Sequence, residues 1–369
     1  MKFRCERDAL ADAITTAQRA VASRTGVLPV LSGLRVVAST DSVELVGSDL
    51  ELTVRVHAPA DVGESGTAVI PAKLLAEVVR SLDPGSVSVD IVDEEARIAA
   101  GPSRFALRVL PTEDFPRLPD VSGDAVTTDA GELATALHQV ISAASRDDAR
   151  PILTGVLLAA TTDGLRLVAT DSYRLAVRDL SGVTMLSEGQ QVLVPAKGLT
   201  EVQRLLGDGN LEVVFSEREA VFRVEGAEVT TRLIEGDFPN YEQLIPSDYP
   251  NRLTVGREVL AEACKRVRLV GQGRDNSPVR MRMTPEGTEL SAVAQEVGEA
   301  RETIDAKFEG TDAELTVAFN PEFLLDGIQA CGDAAEVVIE CLDPLKPATL
   351  RPSDGDDDFL YLLMPVRIS

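Results

Sequence analysis

The stretch VIPAKLLAEVVRSL (residues 69–82) returns as LVPAKGLTEVQRLL (193–206) and again as AFNPEFLLDGIQAC (318–331). A second phrase runs ahead of each: LPVLSGLRV (28–36), ARPILTGVLL (149–158) and NSPVRMRM (276–283). A third follows in the first two cases, where DFPRLPD (114–120) is answered by DFPNYEQLIP (237–246). Three marks in fixed order, at a spacing of about 124 residues, describe one unit written three times. Solenoid repeats run to roughly 20–50 residues, so this period is that of a domain. Breaks fall near PDVSGDA (119–125) and PSDYPNR (246–252), rich in Pro, Ser and Asp as linkers are. The expected domains are therefore 1–121, 126–246 and 251–369.

Each unit reads as helix, strands, helix, strands. In ERDALADAITTAQRAVASR (6–24), Leu10, Ala13, Ile14, Ala17 and Val21 recur at helical spacing. Within DSVELVGSDLELTVRVH (41–57), Leu50, Leu52, Val54 and Val56 alternate, which predicts the inward face of a half-buried antiparallel strand. PAKLLAEVVRSL (71–82) sets Pro71 in a first helical turn, where a missing N–H is no loss. Helices are expected over 6–24, 71–82, 130–150, 195–207, 256–274 and 320–331, with about eight strands per unit. Hairpin-connected strands outnumber helices, so the class is α+β: three repeated domains of antiparallel sheets with two helices each.

Hydrophobic residues make up 44% of the chain, enough for packed cores, and the absence of Trp leaves those cores to Leu, Val, Ile and Ala. The opening MKFRCERDAL is charged and lacks a signal-peptide core, and no apolar run approaches the roughly 20 residues that span a bilayer. Cys5, Cys264, Cys331 and Cys341 form no CxxC pair and suit buried thiols better than disulfides or zinc. A cytoplasmic location is expected. The net charge of −24 argues against nucleic acid until its distribution is considered. The expected helices hold 14 Lys and Arg against 12 Asp and Glu, leaving 22 against 48 elsewhere. Near-neutral helices in an acidic chain fit ordinary paired surface charge, and they also fit a face that must not repel a polyanion.

Little points to catalysis. His57 and His138 lie in unrelated places, and neither a glycine-rich phosphate loop nor a GxSxG elbow occurs. Thr170-Asp171 repeats Ser48-Asp49 at the same place in the unit, which favours a turn role for both aspartates. The run DGDDD (354–358) opens an alternative, a metal-dependent DNA-processing enzyme using Asp356 and Asp357, although Asp and Gly also mark a solvated hairpin tip. A ligand-binding scaffold of three repeats is a third class. No cofactor is expected.

VATDSYRLAV (168–177) resembles the TDG(H/Y)RL signature of the bacterial sliding clamps, the beta subunits of DNA polymerase III. LLMPVRIS (362–369) is similar to their MPMRL ending, and the LPVLSG segment at Leu28 and the three-unit layout extend the resemblance over the whole chain. It implies a homodimeric, head-to-tail ring of six domains with helices lining the hole and sheets outside. Such a ring encircles duplex DNA without sequence preference, needs an ATP-driven loader, and tethers the replicative polymerase and other partners without chemistry of its own. Helices packed about 8–10 Å apart give a twelve-helix ring a hole of roughly 25 Å, whereas six helices leave under about 10 Å. The end-to-end contact is expected between the first and third domains, near Leu269 and Val270.

Two sets of site residues follow. Basic side chains on the inner helices are expected to meet phosphates through water and counterions: Arg24, Lys73, Arg80, Arg146, Arg150, Lys197, Arg204, Lys265, Arg266 and Arg268. The acidic PEFLLDGIQACG (321–332) breaks that pattern. The resemblance also implies a groove for short peptides with apolar anchors. It assigns Leu153, Thr170, Ser172, Tyr173, Arg174, Leu175, Pro239 and Leu244 to that groove, together with Asn320, Phe323, Leu345, Leu362, Leu363, Met364, Pro365, Val366 and Arg367. Met364 suits a site with several clients because a thioether repacks easily. Micromolar affinity, about −8 kcal/mol, is typical for such a site. Ser172 replaces the signature's usual glycine, and Gln243 and Asn276 stand where arginine and phenylalanine are common.

Overall fold

The computed structural model describes residues 1–22, 28–118, 121, 123–246, 248–271, 277–294, 297–311, 313–355 and 358–367. Among them are 26 strands and six α-helices: α1 (Arg7–Gln18), α2 (Ala72–Ser81), α3 (Ala130–Val140), α4 (Ala196–Leu205), α5 (Arg257–Val267) and α6 (Pro321–Ala330). Two helices per repeat among antiparallel strands is the class the sequence predicts.

The strands form four antiparallel sheets. One of five strands belongs to the first repeat and ends at Ser103–Arg108. One of four belongs to the third repeat and ends at Gly298–Ile304. The other two run across repeat boundaries. In the eight-stranded sheet, Leu52–Pro59 of the first repeat pairs with Ala227–Arg232 of the second. In the nine-stranded sheet, Arg174–Ser181 of the second repeat pairs with Phe359–Leu363 of the third. By compactness the chain divides into one unit of Met1–Ala130 with Glu201–Leu233 and another of Gly131–Thr200 with Ile234–Ser369. The second repeat gives half of itself to each unit, because each shared sheet holds its strands with the neighbouring repeat.

Local chemistry explains the repeated phrases. The glycines of LPVLSG and ILTG sit at close backbone approaches. A Cβ on Gly33 would lie 2.6 Å from Val69 Cγ1, and one on Gly155 would lie 2.9 Å from Val194 O. Pro71 is the residue before α2 and still pairs with Gly33 in the sheet, so it ends a strand and does not open the helix. α1 buries Leu10, Ala13, Ile14 and Ala17, and α2 buries Leu75, Ala76, Val78 and Val79, against Leu34, Leu45, Ile70, Val87 and Ile98. Each fully buried Leu, Ile or Val stabilises by roughly 1.5–3 kcal/mol, so this layer fixes the helix pair on its sheets.

Two further expectations fail. The helices predicted over 6–24, 130–150 and 256–274 are shorter. α1 stops at Gln18, while α3 and α5 tighten into 3₁₀ turns at Ile141–Ala143 and Arg268–Gly271. A 3₁₀ turn satisfies a helix's last carbonyls where no glycine cap is present. Arg146 and Arg150 therefore lie beyond α3, and Arg268 lies in the turn after α5. Leu50 is not on the inward strand face. It is exposed in the preceding turn with φ 76°, while Leu52 and Val54 are buried as predicted.

Candidate functional site

The signature turn Thr170–Arg174 is held by side chains two residues upstream. Thr170 Oγ1 donates to Arg174 O (2.6 Å) and accepts from the Ser172 N–H (3.2 Å). Asp171 Oδ1 accepts from the backbone N–H groups of Tyr173 (2.8 Å) and Arg174 (3.0 Å). The first repeat builds the same turn: Ser48 Oγ accepts from Leu50 N–H, and Asp49 Oδ1 from Glu51 and Leu52 N–H. Both aspartates thus have the turn role read from the sequence. The third residue of each turn is left-handed, Leu50 at φ 76° and Ser172 at φ 81°, the conformation that glycine adopts freely.

Arg174 leaves this turn inward, and its side chain is 7% exposed. Nε donates to Asp171 Oδ2 at 3.0 Å, and Nη1 donates to Asp326 of α6 and, at 3.2 Å, to the hydroxyl of Tyr361. Burial opposes the guanidinium charge, but Tyr361, Asp326 and Asp171 outweigh it and hold its pKa above the ordinary value. Burial pushes the Tyr361 phenol upward, so that hydroxyl stays protonated at neutral pH and donates to Phe323 O at 3.2 Å. The Arg174 Cζ lies 4.3 Å from the Phe323 ring centre. Tyr173, 60% exposed, stacks beside Phe323 with ring centres 6.4 Å apart.

Leu153, Thr170, Leu175, Leu362 and Leu363 are buried and form the backing of the site, as core-strand residues do. Leu175 and Leu362 share a cluster with Leu157, Val168 and Leu193, against which Ile152, Phe238, Tyr241, Ile245 and Met364 pack. Met364, Pro365, Val366 and Phe323 are half-buried, and the Val366 N–H donates to Ala318 O at 2.8 Å. Asn320 caps α6, its Oδ1 accepting from Glu322 N–H at 2.9 Å. Pro239, Leu244, Leu345 and Arg367 are exposed, and Leu244 and Leu345 stand outside the apolar cluster. Gln243 is exposed beside Leu244, and Asn276 lies outside the described residues.

The cations differ in their partners. Lys73 on α2 and Arg146 are exposed, with no carboxylate at ion-pair distance among the described residues. Arg80 reaches across to Thr15 Oγ1 of α1 at 2.9 Å, and Lys197 is exposed on α4. Four others are paired with acids: Arg204 with Glu201, Lys265 with Glu262 (2.8 Å), Arg266 with both oxygens of Glu302 (2.6 and 2.9 Å), and Arg268 with Glu322. Their cations pull the Glu262 and Glu302 carboxyls below the usual range. Arg150 turns to the signature, with Nε on Asp147 (3.1 Å) and Nη1 on Ser172 Oγ (3.2 Å). Arg24 lies outside the described residues. The acids that break the basic pattern on α6 are both engaged, Glu322 by Arg268 and Asp326 by Arg174.

His57 sits 3.7 Å from Glu44 on an exposed strand face, and His138 is exposed on α3. All four cysteines are buried thiols outside any disulfide. Among the described residues no three His, Cys, Asp or Glu side chains converge as metal ligands, and Asp356 and Asp357 lie outside those residues. No helix among them is long and apolar enough to cross a membrane.

Residues 1–119, 127–240 and 242–367 match, in order, the N-terminal, central and C-terminal domains of the DNA polymerase III beta subunit. The chain belongs to this family of bacterial sliding clamps. The beta sliding clamp of Streptomyces coelicolor is 37% identical over 382 residues, covering 100% of both chains. That of Staphylococcus aureus is 30% identical over 380 residues, covering 100% of this chain and 99% of its own. Among solved structures, the DNA polymerase sliding clamp of Bacillus subtilis aligns over 100% of both chains with a TM-score of 0.89 at 28% identity. The Pseudomonas aeruginosa sliding clamp bound to griselimycin aligns equally fully, with 0.88 at 28%. The function is that of a DNA sliding clamp, a replication processivity factor.

Sequence reasoning about the clamp missed Asp326, Tyr361 and Gly327. The one visible signal was an acid followed by glycine inside an otherwise apolar helix, LLDGIQA. A Cβ on Gly327 would stand 2.6 Å from Tyr361 Cδ1, so the helix needs glycine there for the tyrosine ring to lie against it.

Proposed function

We propose that two copies of the chain close head to tail into a ring of six clamp domains, 1–121, 126–246 and 251–369 from each. Duplex DNA passes through the ring, which carries out no catalysis and works in the cytoplasm. The strand seams carry this reading. Leu52–Pro59 pairs with the last strand of the second repeat, and Arg174–Ser181 with the last strand of the third. The counterpart in the third repeat is Gly298–Ile304, and the last strand of the first repeat is Ser103–Arg108; both are sheet edges. Pairing them between copies repeats the seam and covers two edges that would otherwise invite aggregation. Arg104 and Arg108 are exposed on one edge, and on the other Glu299 and Arg301 are exposed and paired with each other at 3.3 Å. Phe105 and Leu269 offer exposed apolar surface for the same contact. One chain alone leaves too small a hole.

Lys73 and Arg146, without carboxylate partners among the described residues, supply positive charge for phosphates, and the acidic remainder of the chain repels DNA elsewhere. The site around Tyr173, Phe323 and Met364 takes short peptides with apolar anchors from the replicative polymerase, the clamp loader and other partners. Sedimentation tests the ring. The chain is expected to run as a dimer at micromolar concentration, and Phe105→Asp or Leu269→Asp as a folded monomer. A wild-type chain that stays monomeric at tens of micromolar contradicts the proposal.

A further inference from the structure

Arg174 is engaged from two sides. It is buried, Nε is taken by Asp171, and Nη1 is taken by Asp326 and Tyr361. Asp171 is engaged at both oxygens: one accepts Nε and the other accepts two backbone N–H groups. At Nη1 the one charged partner among the described residues is Asp326, with the Tyr361 hydroxyl beside it. Tyr361 is buried with both capacities of its hydroxyl in use, accepting from Arg174 and donating to Phe323 O. Gly327, of the least favourable type for a helix interior after proline, is placed where any side chain would strike the Tyr361 ring.

These contacts join α6 to the signature turn through one cation. The cation supports the Phe323 ring, and Phe323 stacks against exposed Tyr173. We infer that Asp326 and Tyr361 are positioning residues of the peptide groove, acting on its Tyr173–Phe323 wall through Arg174. This rests on the peptide-groove reading given under the proposed function. Without Asp326 the guanidinium keeps a buried edge satisfied only by a neutral hydroxyl, and the wall it supports is no longer fixed. Peptides then arrive as before and leave sooner.

The test uses the full-length dimer and a fluorescein-labelled synthetic peptide with leucine and phenylalanine anchors, with griselimycin as a second, competing probe. Asp326→Asn is expected to weaken the peptide about tenfold, chiefly in the dissociation rate, and Tyr361→Phe about threefold. Asp326→Glu recovers part of the loss. In an Arg174→Ala background, Asp326→Asn changes affinity by less than about twofold, since its route is gone. Retention on nicked circular DNA and the dimer's sedimentation stay unchanged in Asp326→Asn and Tyr361→Phe, which separates groove positioning from general unfolding. Peptide binding by Asp326→Asn equal to wild type, or full additivity with Arg174→Ala, overturns the inference. If neither probe binds the wild-type dimer, the groove reading falls and takes the inference with it.

Discussion

Asp49 and Asp171 perform the same task in successive repeats, each accepting the backbone N–H groups two and three residues ahead through one carboxylate oxygen. They differ in what lies beyond: Asp171 Oδ2 also takes Arg174 Nε, whereas the residue matching Arg174 is Leu52. Asp49→Ala is therefore expected to cost about 1–2 kcal/mol for two orphaned donors. Asp171→Ala should cost about 3–5 kcal/mol, because it also strands part of a buried cation. Scanning calorimetry checks the order, with Asp171→Ala melting below Asp49→Ala.

Leu50 holds a left-handed backbone while 46% exposed, so it bears a conformational cost with limited burial in return. That cost is about 1–2 kcal/mol for an L-residue. Leu50→Gly is expected to raise the melting temperature and Leu50→Ala to lower it. Ser172→Gly should gain less, because it also removes the hydroxyl that accepts from Arg150 Nη1.

Free and paired cations should act differently on DNA. Lys73→Ala and Arg146→Ala are each expected to reduce the slope of log affinity against log salt by about 1. Arg266→Ala should change it little, since Glu302 already holds that guanidinium at both oxygens. Binding of short duplex to the preassembled dimer over a salt series measures both.

Burial pushes the Cys264 and Cys341 thiols from 9.0 up to about 12. The folded chain thus keeps protons that the unfolded chain releases above pH 9. Stability is unaffected by these groups below that point and falls as pH rises from 9 towards 12, by roughly 1.4 kcal/mol per pH unit for each thiol. The urea midpoint should drop between pH 8 and pH 10, and thiol labelling of the native chain at pH 8 should be slow.

Local patterns carried the repeats, the α+β class and the aspartate turns into the sequence itself, because each depends on neighbours a few residues apart. Leu50 misled because its alternation with Leu52 and Val54 continues through a turn that Asp49 imposes. The helix ends were overrun because no glycine or proline marks the passage from α3 or α5 into a 3₁₀ turn. The residues proposed for the groove could be named through the resemblance, but which of them are buried could not. Arg174 meets Asp326 across 152 residues, and no periodicity records that encounter. The cations looked alike in sequence, and only the carboxylates beside them divide Lys73 and Arg146 from Lys265, Arg266 and Arg268.

Topological binding is the central claim, and retention on DNA with and without free ends measures it directly. The protein would be loaded with a related clamp loader and ATP onto nicked circles, gel-filtered, and then linearised with a single-cutting nuclease. Retention on circles that is lost on linearisation, without strand cleavage by the protein, is the predicted result. Equal retention on linear and circular DNA, or none with a competent loader, would contradict a closed ring around the duplex.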